Sequence, residues 1–146
     1  MPIACFGLSC GSNPAATTPG GIHVAGTYTI TRAYISNTCN PEIPGATATV
    51  AGVVTHDPGA TRFTLSNSDG GNFDAVLNPD GSFSSGTQHR TGANGRPYDL
   101  LFEGRFSQMG FRATVSADLL PPNTPCKSVL DWQAVKQGDP NVIPGT

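Results

Sequence analysis

From residue 22 onward, hydrophobic and polar residues alternate with a period of two. Between Val24 and Tyr34, Val24, Gly26, Tyr28, Ile30 and Tyr34 fall on one face and Thr27, Thr29 and Thr31 on the other, the pattern of a half-buried β-strand. The pattern returns at 46–54, rich in Thr and Val, and at 61–66, where Phe63 and Leu65 alternate with Arg62 and Thr64. It continues at 72–77 and around Phe83. Tyr98, Leu100, Phe102, Gly104 and Phe106 then line one face of a long strand, and Phe111, Ala113, Val115 and Ala117 one face of the next. A last strand at 126–135 groups Leu130, Trp132 and Ala134. Turn chemistry separates these runs: His56-Asp57-Pro58-Gly59, Asp69-Gly70, Asn78-Pro79-Asp80-Gly81 and Ser107-Gln108-Met109-Gly110. Eight short strands in meander order, with no sustained helical period, predict an all-β, antiparallel up-and-down barrel, with a β-sandwich as the alternative. Arg32 interrupts the apolar face of the first strand. Burial against a carboxylate or Trp132 competes there with a strand end reaching solvent, and solvent is the expectation.

The flanks lack this alternation. Residues 1–21 end in the small-residue and Pro/Gly stretch SNPAATTPGG and read as an N-terminal arm and linker. Residues 22–136 form the barrel domain, and 137–146, QGDPNVIPGT, read as a C-terminal arm. Ordering of such arms implicates other protein subunits as partners.

Composition narrows the setting. Charged residues make up 12% of the 146, against about 25% in typical soluble chains. Eight Lys and Arg against ten Asp and Glu offer no basic surface for a run of phosphates, which excludes nucleic acid. No stretch approaches the ~20 apolar residues of a transmembrane helix. Four cysteines, at 5, 10, 39 and 126, lack the C-x-x-C spacing of zinc or redox sites. They read instead as two disulfides in an extracytoplasmic compartment, whether bacterial periplasm, outer membrane or medium. Cys39 lies just past the first strand and Cys126 opens the last. In an eight-strand barrel those ends are antiparallel neighbours, so a Cys39–Cys126 bond would staple the closing seam.

GTYTITR on the first strand, the FEGRF and MGFRATV hairpin and the late tryptophan of LDWQAV resemble the lipocalin-like small barrels of bacterial envelope proteins, over roughly residues 22–136. The lipocalin G-x-W stands here as Gly26-Thr27-Tyr28. The resemblance implies a lipocalin-like barrel.

Near the N-terminus, Cys10-Gly11-Ser12-Asn13-Pro14 resembles the mature start of bacterial lipoproteins, and Ile3-Ala4-Cys5 the end of their cleavage signal. This makes Cys5 and Cys10 candidates for lipidation and membrane attachment, with a Cys5–Cys10 disulfide as the favoured competitor. Gly7-Leu8-Ser9-Cys10-Gly11 also spells the G-x-S-x-G of a nucleophile elbow, but no strand precedes Ser9 and a Pro/Gly linker follows it, so no catalytic serine is assigned. His23, His56 and His89 show no convergent ligand spacing, and no metal or cofactor is assigned. Asp99, Glu103 and Asp118 alternate with core residues and are expected in solvent. Asp74 and Asp131 could adopt either register.

Ten rings populate the inner phase of the strands, enough to fill so small a barrel. Tyr28, Phe63, Phe102, Phe111 and Trp132 are the candidate lining of any ligand pocket. The chain is therefore expected to be a non-enzymatic accessory or structural subunit of an envelope or extracellular assembly. The alternative is a carrier of a small apolar ligand in the barrel interior.

Overall fold

The computed structural model describes residues 21–39, 47–92, 95–121 and 124–145. Nine strands form one antiparallel sheet: β1 (Gly26–Asn37), β2 (Thr47–Thr55), β3 (Arg62–Asn67), β4 (Asn72–Leu77), β5 (Ser82–Ser84), β6 (Gln88–Thr91), β7 (Pro97–Ser107), β8 (Gly110–Leu119) and β9 (Cys126–Lys136). Each pairs with its neighbour in sequence as far as β5. β5 then also pairs with β7, and β9 returns to β1, so eight strands close an up-and-down barrel and β6 is added to it. The expected barrel is therefore the fold, and the sandwich alternative is set aside.

β6 arises where the wall turns. β5 lies between β4 and β7, placing Phe83 opposite both Leu77 and Gly104. The chain then bends at Gly86, whose positive φ of 64° favours glycine, and β6 continues along the same edge of β7. The upper part of β4 has no ladder partner on that side. Arg90 Nη2 instead donates to Asn72 O at 2.8 Å and Gln88 Nε2 to Asp74 O at 3.4 Å, so side chains hold the wall together there. Gly104 permits close approach on the opposite edge of β7: a Cβ there would lie 2.0 Å from Arg112 O of β8.

The inner phases read from the sequence are those observed. Tyr28, Ile30, Val54, Phe63, Leu65, Phe73, Ala75, Leu77, Phe83, Leu100, Phe102, Phe106, Phe111, Ala113, Val115, Trp132 and Ala134 form one buried cluster. β1 runs three residues beyond Tyr34. The register slips between Val129 and Leu130, leaving Ile35 as a bulged, exposed residue and returning Asn37 to the interior.

The two ends of the barrel differ. At the base the terminal segments close the bore. His23 and Val142 exchange backbone hydrogen bonds of 2.9 and 3.0 Å, Gly59 N donates to Ile22 O, and Ile22, Val24 and Ile143 join the core. The segment set apart as a C-terminal arm thus packs against the barrel as far as Ile143. At the mouth, Cys39 and Cys126 are disulfide-bonded with Cα atoms 5.0 Å apart, joining the upper ends of β1 and β9 as the seam geometry predicted. In the chain-entropy picture, a bond spanning 87 residues stabilises the fold by about 4 kcal/mol. The N-terminal arm's Cys5, Ser9 and Cys10, with their disulfide and lipidation readings, lie outside the described residues.

Candidate functional site

The mouth is built by the upper halves of β1 and β9, the β3–β4 turn and the starts of β4 and β7. Arg32 on β1 is directly opposite Trp132 on β9, and both point inward. Its guanidinium lies 5.5 Å from the indole centroid and 2.9 Å from Asp69 Oδ2 on the β3–β4 turn. The expectation of a solvent-reaching Arg32 is corrected: its side chain is only 19% exposed, because an acid and an aromatic face both stand within reach. Partial burial alone would raise the Asp69 carboxyl. The hydrogen bond from Arg32, the Gly71 N–H and the nearby guanidinium charge together hold it below the usual carboxylate range.

The turn carrying Asp69 is fixed by its own backbone: Gly70 N donates to Asn67 O at 2.9 Å and Asn67 N to Gly71 O at 2.8 Å. That fold turns the Asn67 side chain inward, where it is 7% exposed. Phe73, two residues past the turn, packs edge-on against Trp132 with centroids 5.2 Å apart. The Arg90 guanidinium lies 5.4 Å from the Phe73 ring. Two guanidinium groups thus face two mutually packed rings. Both polar atoms of the Asn67 amide and Trp132 Nε1 are buried without a protein hydrogen-bond partner. Val50, Tyr98, Ala117 and Leu130 are half-buried and pack on the core. Beside the disulfide, a depression of about 450 Å³ is bordered by Thr38, Arg96, Leu119 and Pro125.

The five rings expected to line a pocket occupy two levels. Tyr28 packs on Phe111 at 5.4 Å, Phe63 on Phe102 at 6.4 Å and Phe102 on Phe111 at 6.4 Å, a ring-to-ring stack filling the lower bore. Trp132, 5.7 Å from Phe102, caps that stack and belongs to the mouth. Arg32, Asn67, Asp69 and Arg90 were not singled out as site residues from the sequence. A cation in the inner phase of one strand and an acid in a hairpin turn were the available signals.

The remaining candidates are dispersed. Asp74 and Glu103 face outward, and Asp131 pairs with Arg112 on the outer wall at 3.1 Å. Asp99 is bonded to His89 Nδ1 across the outer edge of β6 and β7. At the base, His56 Nε2 faces Ala60 O at 2.9 Å and its Nδ1 accepts from Val24 N at 3.4 Å, which sets the tautomer with the proton on Nε2. His23 stacks on His56 with centroids 6.3 Å apart. Burial, then the charge of Lys136 and the proximity of His56, push the His23 pKa down. Among the described residues, no three His, Cys, Asp or Glu side chains gather as a metal site. No helix there is long and apolar enough to cross a membrane. No protein-family model, curated protein or solved structure matches the chain.

Proposed function

We propose that this chain is a non-enzymatic, extracytoplasmic β-barrel module that serves as an accessory or structural subunit of a larger envelope or extracellular assembly. The observation carrying this reading is the construction of the barrel. Rings in mutual contact fill its lower bore, terminal segments close its base, and a disulfide staples its seam. Such a body is a stiff scaffold whose rims and outer wall remain for contact. Three ion pairs lie on the outer wall, Arg112 with Asp131, Arg105 with Asp80 and Lys127 with Asp118, and with a net charge of −2 this surface is not built to steer toward a polyanion. A disulfide fits an oxidising compartment. The N-terminal arm is assigned the docking role in this reading, with Cys5 and Cys10 closing a disulfide clip on it and lipidation of either cysteine as the alternative.

The test compares the full chain with one lacking residues 1–20, both recovered from the envelope fraction of the producing cell. The full chain is expected in a species well above its 15.1 kDa monomer mass, and the shortened chain as a monomer with an unchanged melting temperature. Equal recovery of both in the large species overturns the arm's role, and a monomeric full chain overturns the assembly.

A second reading, carriage of a small ligand, is favoured by one observation at the mouth. Two inward-facing side chains, Asn67 and Trp132, keep three buried polar atoms without protein partners above a floor of rings.

A further inference from the structure

We infer that the barrel mouth binds a small carboxylate carried on an apolar body, and that Arg32 receives this carboxylate in place of Asp69. The inference rests on the carrier reading and adds the headgroup. Arg32 already holds a carboxylate there, Nη1 to Asp69 Oδ2 at 2.9 Å, with its guanidinium over an indole. The acid it holds is replaceable: Asp69 sits on a hairpin turn with its side chain 44% exposed and can turn out into water, while Arg32, 19% exposed, stays in the wall.

The unpartnered polar groups of the mouth are mostly donors. Trp132 Nε1 can only donate, and the Asn67 amide offers two N–H groups against one oxygen. Asn67 and Asp69 border the same point, since a Cβ added at Gly71 would lie 3.5 Å from Asn67 Nδ2, 3.7 Å from Asp69 Oδ1 and 3.4 Å from Phe73 Cε2. The Asn67 amide therefore sits beside the internal acid. Arg90, over Phe73, adds a second positive charge to the same rim. A cationic headgroup would meet two guanidinium groups, and a neutral one would leave Arg32 with Asp69. Leu130, two residues toward the mouth from Trp132 on β9, and Ala117 beside it on β8 are half-buried and offer apolar surface to the body of the ligand.

Trp132 is the only tryptophan and reports on the site by its fluorescence. The full chain is titrated with octanoate, 1-octanol and octylamine. Octanoate is expected to give a saturable change, with the alcohol and the amine binding at least about tenfold more weakly, as befits loss of a charge-assisted hydrogen bond. Asp69→Asn, which removes the internal competitor, is expected to tighten octanoate about two- to fivefold. Arg32→Met, which keeps an apolar stem over the indole, is expected to weaken it about tenfold or more. Equal binding of all three probes, or weaker octanoate binding by Asp69→Asn, overturns the carboxylate site and leaves the carrier reading standing. No saturable change with any probe overturns both. Because Asp69 is on an exposed turn, the Asp69→Asn result decides the matter even if Arg32→Met fails to fold.

Discussion

At the base, every buried polar side chain described has a protein partner; at the mouth, two do not. The Tyr28 hydroxyl lies 2.6 Å from Val24 O and 2.9 Å from Asn141 Oδ1, and Asn141 Nδ2 donates to Ser107 O at 2.9 Å. Both ring nitrogens of His56 are engaged. At the mouth, Asn37 is satisfied by Ser128 Oγ and Cys39 N, but Asn67 and Trp132 are not. A buried polar group without a partner costs about 1–3 kcal/mol, so the mouth carries a penalty that the base avoids. One end is organised for stability. The other keeps unpartnered polar atoms near a partly exposed ion pair, a cost that the proposed binding of a ligand there would offset.

The largest effect should come from the covalent device that compensates for this looser end. Cys39→Ala with Cys126→Ala removes the staple between β1 and β9 and is expected to cost about 4 kcal/mol, a fall of about 10 °C in melting temperature. Hydrogen exchange should show the loss unevenly, with amides near Tyr34 and Leu130 exchanging faster than those near Tyr28 and Ala134. Uniform loss along both strands would mean that the disulfide acts only through the unfolded chain and not on the mouth.

Next is a base substitution that creates the defect the mouth already has. Tyr28→Phe keeps the ring against Phe106 and Phe111 but leaves Val24 O and Asn141 Oδ1 without their shared donor. A cost of about 2 kcal/mol is expected in chemical denaturation. A neutral result would show that the base network adds no net stability, and the contrast between the ends would lose its energetic meaning.

The legibility of these features from sequence follows the same division. The inner faces of β7, β8 and β9 were readable residue by residue, because alternation in a half-buried strand is imposed by water on one side and rings on the other. The seam disulfide was readable because closure fixes which strand ends meet. β6 was not: Gln88–Thr91 has no apolar alternation, since it pairs only with β7 and its side chains fasten β4 instead of filling the core. The docking of Asn141 and Ile143 at the base was missed because GDPNVIPG has the composition of a loose tail, and burial of single residues there depends on a tertiary cavity that no local pattern records. The mouth was missed for a related reason. Arg32 looked like a strand end until a turn some 37 residues away supplied its acid.

The sign of the effect should reverse at the mouth. Asn67→Leu keeps the branched shape of the amide beside Gly52 and Gly71 while removing two buried polar atoms that have no partner. It is expected to raise stability by about 1 kcal/mol while weakening octanoate binding. A destabilisation comparable to that of Tyr28→Phe would mean that Asn67 is satisfied in solution, and the mouth would then resemble the base.

Acid should separate the two ends by where each begins to fail. His23 has a pKa depressed from its ordinary 6.5, first by burial and then by Lys136 and His56, so the folded base binds a proton more weakly than the unfolded chain does. Its contribution is fully present above about pH 6.5 and is lost as the pH falls through the lower folded value. Lys136, itself lowered by burial and partly offset by Asp139, keeps a positive charge beside the imidazole as it protonates. Asp69 is also depressed, but from an ordinary value of 3.8, so the mouth's ion pair is kept until the pH drops below that range. Lowering the pH from 7.5 to about 4.5 is therefore expected to speed exchange at the paired amides of His23 and Val142 while those of the β3–β4 turn stay protected. His23→Gln should reduce the base response. This change should be smaller than that of any of the substitutions above, because His23 is only partly buried. A mouth that loosens together with the base over this range, or a His23→Gln chain with an undiminished response, would trace the acid sensitivity to another group and remove titration as a way of telling the ends apart.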